Sequence, residues 1–197
     1  MRELSLHILD VVENGITAGA HSISIQVEES TARDRLQITI RDDGRGMPAE
    51  KIRNLSDPFV TTRTTRRVGL GLSLLAAAAR RCEGDIRVNT ETGRGTEVTA
   101  FFRRSHIDRA PLGDMAATMG MLIIGNPHLD FVYVHRVDER EFVLDTRELK
   151  AELEGLSLSE PVVVQHLMES MRRSLNELAS DPGKEKFKED IDGHADN

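Results

Sequence analysis

Apolar residues at Leu6, Leu9, Val12 and Ile16 recur at helical spacing, which predicts a helix over residues 3–18 that Gly19 stops. Ile23, Ile25 and Val27 then alternate with polar residues, as do Leu36, Ile38 and Ile40; both runs read as strands, and the second runs into the turn Asp42-Asp-Gly44-Arg-Gly46. Pro48-Ala-Glu50 reads as the first turn of a short helix, where proline needs no N–H partner. Residues 57–68 hold many Thr and Arg with no period and read as a mobile loop. Gly71 to Arg81 is Leu- and Ala-rich and favours helix. Strands at 86–88 and 98–102 flank a turn at Gly93-Arg-Gly95.

A boundary is placed near Arg104, because residues 103–112 are polar and end at Pro111. Beyond it, Met115, Met119, Leu122 and Ile123 give one face of a helix over 114–124, which Gly125-Asn-Pro127 ends. Phe131, Tyr133, His135 and Val137, then Phe142 and Leu144, read as a hairpin around Asp138-Glu-Arg140. A longer helix over 160–179 carries Val164, Leu167, Met168, Met171, Leu175 and Leu178 on one face, with Ser159 as N-cap and Pro161 in the first turn. Residues 181–197 are charged and read as a disordered tail. The organisation expected is therefore a domain over 1–104, a small α+β region over 105–180 and the tail.

Composition narrows the function classes. A net charge of −7 argues against non-specific nucleic-acid binding. Aromatic residues at 4%, with no tryptophan, argue against a base-stacking surface. Cys82 is the only cysteine, so no intramolecular disulfide forms, and a reducing cytoplasm is expected. The longest apolar runs, Leu74–Ala79 and Met121–Ile124, are far too short to cross a bilayer.

Four pieces carry candidate chemistry. Asp10 and Asn14 are four residues apart and project from one helix face. The neutral amide oxygen of Asn14 suits Mg²⁺ held with phosphates, and the Asp10 carboxylate one turn away suits a general base. Glu13 lies about 100° round the helix from Asn14 and is a poorer candidate. Asp42, followed by Gly44 and Gly46, can accept a hydrogen bond from the exocyclic amine of adenine, where guanine presents a carbonyl. The glycines allow close backbone approach. Gly69-Leu70-Gly71-Leu72 opens a helix whose free N–H groups can hold an anion, with Arg63, Arg66 and Arg67 supplying charge to a terminal phosphate. Thr96, after Gly93-Arg-Gly95, offers a hydroxyl to the base-binding aspartate or a water beside it. Each piece alone is weak, since Asp-Gly turns and basic loops are common; their order is the signal.

In that order, from Leu4 to Phe102, the four resemble the ATP-binding boxes of the GHKL superfamily of gyrase, heat-shock, histidine-kinase and mismatch-repair ATPases. Arg41-Asp-Asp-Gly-Arg-Gly-Met47, Asp57-Pro-Phe-Val-Thr-Thr62 and Gly69-Leu-Gly-Leu-Ser73 look most like histidine kinases, and Asn14-Gly-Ile-Thr-Ala-Gly-Ala20 more like mismatch-repair ATPases. The resemblance implies a two-layer α/β sandwich, the Bergerat ATP-binding fold, with a mixed sheet covered on one face by helices. It implies ATP and Mg²⁺ as cofactors. Asn14 resembles the Mg²⁺ ligand, Asp42 the adenine anchor, Gly44 and Gly46 the base-pocket turn, Gly69 and Gly71 the phosphate-binding glycines, and Thr96 the residue beside the adenine. Met47, Thr62, Arg63, Leu70 and Leu72 join the nucleotide-binding set on the same ground. Position 10 matches the general-base glutamate of hydrolysing members; here it is Asp, one methylene shorter. Many kinases also carry an extra glycine where this chain has Arg67-Val68-Gly69.

No phosphoacceptor histidine motif accompanies these boxes. The first box begins within ten residues of Met1, so no dimerising hairpin is expected upstream of it. His7 is expected to be a structural or surface residue. The function expected is that of a stand-alone Mg-ATP-binding signalling protein, a kinase or ATPase acting on or regulating a partner protein in trans. The alternative is a nucleotide-gated binding protein with little turnover. The acidic surface and a hairpin able to add strands across an interface point to a protein partner or a homodimer.

Overall fold

A computed structural model of the chain describes residues 3–46, 70–153 and 156–180. The elements, in chain order, are α1 (Leu4–Thr17), β1 (Ser22–Ser30), β2 (Arg35–Asp42), α2 (Leu70–Arg81), β3 (Asp85–Glu91), β4 (Gly95–Arg103), α3 (Met115–Gly125), β5 (Asp130–Val137), β6 (Arg140–Asp145), α4 (Thr146–Glu152) and α5 (Pro161–Ala179). The expected short helix at residues 48–50, the loop at 57–68 and the tail lie outside the described residues.

The six strands form one sheet in the order β3-β4-β2-β1-β5-β6. All neighbours pair antiparallel except β1 and β5, which run parallel with Ile23 opposite Phe131 and Ile25 opposite Tyr133. Strands from both sides of residue 104 thus hydrogen-bond in one sheet. Side chains alternate across a sheet, and one face collects Ile23, Ile25 and Val27 of β1, Leu36, Ile38 and Ile40 of β2, Val98, Ala100 and Phe102 of β4, and Phe131 and Tyr133 of β5. These pack with Leu4, Ile8, Val11 and Val12 of α1, Leu72, Leu75 and Ala79 of α2, and Met115, Met119, Leu122 and Ile123 of α3 in one hydrophobic cluster. The result is the two-layer α/β sandwich with helices on one face. The other face carries Gln26, Glu28, Arg35, Gln37, Thr39, Arg41, Arg87 and Glu97, and stays partly exposed.

α3 is apolar nearly all round and packs between α1 and α5, with only Met121, Ile124 and Gly125 exposed. Its N-cap is Asp114, whose carboxylate accepts from Ala117 N at 2.8 Å and pairs with Arg172 of α5 at 3.0 Å. α5 buries Val164, Met171 and Leu178 along one stripe, packs the half-buried Val163, Leu167, Met168 and Leu175 beside them and turns its polar residues outward, which makes it strongly amphipathic.

Three sequence expectations change. Of the four apolar positions read on α1, Val12 is buried and Leu9 and Ile16 pack against the core, but Leu6 is 44% exposed, and Leu4, Ser5, His7, Ile8, Val11 and Gly15 complete the buried face. Hydrophobicity alone skips a helix face that includes polar and glycine residues. Ser159 is not the N-cap of α5; Glu160 occupies that position without a side-chain bond, because Pro161 at the first helical position leaves one N–H fewer to satisfy. α4 was not expected. It is capped by Asp145, which accepts from Arg147 N at 2.9 Å, and a helix of two turns is too short to show a period.

Candidate functional site

β2 supplies the key carboxylate by simple alternation. Leu36, Ile38, Ile40 and Asp42 share one face, so Asp42 is the first polar residue after three that point into the core. It sits where the core ends, beneath the last turns of α1. A Cβ on Gly15 would stand 2.9 Å from the Cβ of Asp42, so only glycine lets the helix approach this closely. The carboxylate accepts from Gly44 N at 3.0 Å, and the backbone N–H of Thr96 also donates to it. Burial pushes the Asp42 carboxyl above its ordinary value; the two N–H donors pull the other way, and the neighbouring charge of Asp43 adds to the rise.

The turn after Asp42 is fixed at both ends. Arg45 N donates to Ala18 O at 3.0 Å, and Arg45 O accepts from Gly93 N at 2.8 Å. The turn is thereby tied both to the end of α1 and to the β3–β4 turn. Gly46 takes a φ of 65°, the left-handed region that favours glycine. Asp43 has a different task from its neighbour. Its carboxylate accepts from His21 N at 2.7 Å and Ser22 N at 2.9 Å and fastens the start of β1. Desolvation raises the Asp43 carboxyl, but these backbone donors outweigh it and hold the group below its usual range.

Thr96 is opposite Asp42 in the β2–β4 register, and Thr90 is opposite Thr96 in the β3–β4 register. All three side chains lie on the helix-facing side of the sheet. The Thr90 hydroxyl donates to Gly95 O at 2.9 Å and lies 3.0 Å from the Thr96 hydroxyl. A polar row, Thr90-Thr96-Asp42, thus crosses three strands at one end of the core. Thr90 was missed in the sequence; counting the hairpin register back from Gly93 would have found it. Gly15 was missed as well, although it follows Asn14 directly.

On α1, Asn14 is half-buried and Asp10 exposed, one turn apart. α2 begins beside them. A Cβ on Gly71 would lie 2.7 Å from the Cβ of Asp10, so Gly71 allows the first turn of α2 to touch the helix that carries Asp10 and Asn14. Leu70 opens α2, and Leu72 is buried in the core. Of the expected site residues, the fold therefore brings Asp10, Asn14, Gly71, Asp42, Gly44, Gly46 and Thr96 to the ends of α1, β2 and β4 and the start of α2. Met47, Thr62, Arg63 and Gly69, with Arg66 and Arg67, lie outside the described residues. His7 is buried, and its Nδ1 has no hydrogen-bond partner among the described residues. Burial pushes its pKa below the usual value, against the opposing pull of Asp10.

A half-buried carboxylate held by backbone donors, a row of hydroxyls, and an amide one helix turn from a carboxylate that Gly71 abuts thus lie at one end of the sandwich. The family of histidine kinase-, DNA gyrase B- and HSP90-like ATPases matches residues 2–106, and the chain belongs to it. Among curated relatives, it is 26% identical over 94 residues to sporulation kinase C of Bacillus subtilis, covering 48% of this chain and 22% of that protein. It is 36% identical over 92 residues to the sensor protein kinase FleS of Pseudomonas aeruginosa, covering 47% of this chain and 23% of that protein. The chain thus spans less than a quarter of the length of these relatives. Among solved structures, the N-terminal domain of a DNA repair protein superposes with a TM-score of 0.52 at 14% identity, over 74% of this chain and 53% of that one, which establishes a shared fold. No helix among the described residues is long and apolar enough to cross a membrane.

Proposed function

We propose that the chain binds Mg-ATP at the Asp42 end of the sandwich and acts as a signalling kinase or ATPase on a partner protein in trans, in the cytoplasm. The observation that carries this reading is the setting of Asp42: a carboxylate at the end of an apolar row, under Gly15, held by the backbone of Gly44 and Thr96. The donor set suits the ligand. Asp42 can only accept when ionised, which selects an exocyclic amine over a carbonyl. Asn14 offers a neutral hard oxygen to a divalent cation whose other ligands are phosphate and water. A helix start at Leu70–Gly71 would offer backbone N–H groups to the phosphates. Mg-ATP, when bound, supplies an activated terminal phosphoryl group. Asp10 is positioned to take a proton from an attacking hydroxyl or water, and its contact with Gly71 ties that carboxylate to the phosphate-binding helix.

The second reading is a nucleotide-gated binding protein with little turnover. It is favoured by the sheet: Ile23 of β1 is opposite Asp42 on one side and Phe131 on the other, so the strand beside the site is also paired to residues 130–137. Calorimetry with Mg-ATP tests the site, and Asp42→Asn should weaken binding. Labelled ATP with candidate partners tests the chemistry. Asp10→Asn should abolish phosphate transfer or hydrolysis while leaving ATP affinity within about twofold, because Asp10 is exposed and carries no ligand-binding role of its own. ATP binding with no transfer or hydrolysis in the parent protein would favour the second reading.

A further inference from the structure

On the face of the sheet that the helices leave uncovered, at the end away from Asp42, two arginines reach over one aromatic ring from opposite corners. Phe101 of β4 is opposite Gln37 of β2 and Asp85 of β3, so Arg35 and Arg87 are its diagonal neighbours, one toward Arg103 and one toward Thr99. The Arg35 guanidinium lies 4.0 Å from the ring centroid and that of Arg87 5.2 Å, so the two cations are no more than about 9 Å apart. With Arg33 and Arg103 they border an open depression of about 580 Å³. The acidic groups there are engaged: Asp34 and Glu83 pair with Arg103, and Asp85 pairs with Arg80. Arg33, Arg35 and Arg87 have no ion pair among the described residues, in a chain whose net charge is −7. Two like charges are thus drawn to one ring without a counter-ion, and an incoming anion would relieve their repulsion.

We propose that this patch binds an extended acidic segment of a partner protein, one that carries carboxylates at alternate positions. Charge and spacing select that occupant. In an extended chain every second side chain points the same way, about 6.8 Å apart, so Glu-x-Glu presents two carboxylates from one side at a separation that suits the Arg35–Arg87 pair. A guanidinium binds a carboxylate through parallel N–H donors at its edge. Stacking on Phe101 fixes the plane of Arg35 and leaves that edge open except for the one N–H donated to Gln37 Oε1 at 3.0 Å. Arg33, on the turn between β1 and β2, adds a third unpaired cation at the rim. Access is open as well: β3 is an edge strand and the helices pack on the other face, so a segment can lie over β3, β4 and β2 without displacing an element. Nucleic acid, the other extended polyanion, would be repelled by the charge of the rest of the chain. The site is separate from the nucleotide end. Phe101 is five residues along β4 from Thr96, about 17 Å, and on the opposite face.

The probe is a fluorescein-labelled peptide, Gly-Glu-Thr-Glu-Thr-Glu-Gly, titrated with the full-length protein at low salt and followed by anisotropy. Saturable binding is expected, weaker when the three Glu are made adjacent and lost when they are replaced by Gln. Raising salt to about 1 M, where charges are screened beyond about 3 Å, should release the peptide. Arg35→Glu with Arg87→Glu should cost roughly tenfold or more in affinity. That variant should instead bind the same peptide with Lys for Glu, which separates lost binding from a damaged fold. Arg41→Glu, about 20 Å along β2 on the same face, should leave affinity within about twofold of the parent. Mg-ATP and Asp42→Asn should leave peptide binding unchanged, so the outcome does not depend on the nucleotide site. Absence of saturable binding to the parent would overturn the proposal. So would displacement by Mg-ATP, which would put the peptide at the nucleotide site, or displacement by equimolar inorganic phosphate, which would make the patch a small-anion site. Equal losses in Arg35→Glu and Arg41→Glu would reduce the effect to overall charge and overturn it, as would a single-stranded oligonucleotide that binds the patch more tightly than the peptide.

Discussion

Gly15 of α1 and Asp42 of β2 meet so closely that any side chain on residue 15 would press on the carboxylate, its first atom 2.9 Å from the Asp42 Cβ and 3.3 Å from Oδ2. Alanine at residue 15 would gain about 1 kcal/mol of helix propensity but must displace either the helix or Asp42. Gly15→Ala is therefore expected to weaken ATP binding by about tenfold or more, with a melting temperature within a few degrees of the parent because gain and strain oppose each other. Calorimetry and thermal melts on the same preparation check both halves. Unchanged affinity would show that the Asp42 position is not set by this contact.

Asp42→Asn separates function from stability. Burial raises the folded-state pKa of Asp42. A carboxylate raised on folding favours the fold when protonated, and that benefit is lost as pH rises through the folded value. At pH 7 the ionised carboxylate is thus a cost to the fold, and a neutral amide removes it. Asp42→Asn should lose ATP affinity by about 10- to 150-fold, the worth of a hydrogen bond to a charged group, without any fall in melting temperature at pH 7. Its stability advantage over the parent should shrink as pH drops toward 4. A variant that both binds poorly and melts lower would contradict the electrostatic account.

Thr90 bonds both Gly95 O and the Thr96 hydroxyl. Thr90→Val keeps the shape and removes those bonds. Denaturant unfolding should show a loss of about 1 kcal/mol, and ATP affinity should fall less than in Thr96→Val, because Thr90 reaches the site only through its neighbour. Equal losses of affinity would place Thr90 in direct contact with ligand.

Glu29, on β1, accepts from His135 of β5 at 3.2 Å and from Arg104 at 3.0 Å. The bond from His135 is the largest influence holding its carboxyl below the usual range; burial opposes it, and Arg104 adds to the lowering. A carboxyl lowered on folding contributes stability that is present above its unfolded value, near 4.5, and is lost as pH falls through the folded value. Glu29→Gln should lower stability at pH 7 by about 1 kcal/mol and flatten the loss of stability below pH 4.5. Parallel pH–stability curves for the two proteins would rule out this role.

Much of the site was readable because it follows from periods. Alternation through Leu36, Ile38 and Ile40 carries straight on to Asp42, and helical spacing puts Asp10 and Asn14 together. The rest was hidden for identifiable reasons. The face of α1 includes His7 and Gly15, which no hydrophobic pattern marks. Pairing of β1 with β5 joins residues more than a hundred positions apart, and nothing in either strand names its partner. α4 is too short for a period. Gly71 could be read as a phosphate-binding glycine, but its close fit against Asp10 depends on how two helices cross.

The parallel contact between β1 and β5 also restricts how the two ends of the protein communicate. β1 is locked on both edges, to β2 over Ile23–Ser30 and to β5 over Ser22–Glu29. Slipping it by one residue would turn Ile23, Ile25 and Val27 out to water and Ser24 and Gln26 inward. Sliding is therefore closed to this strand, and any movement of Ile23 must carry its two partners, Asp42 and Phe131, along with it.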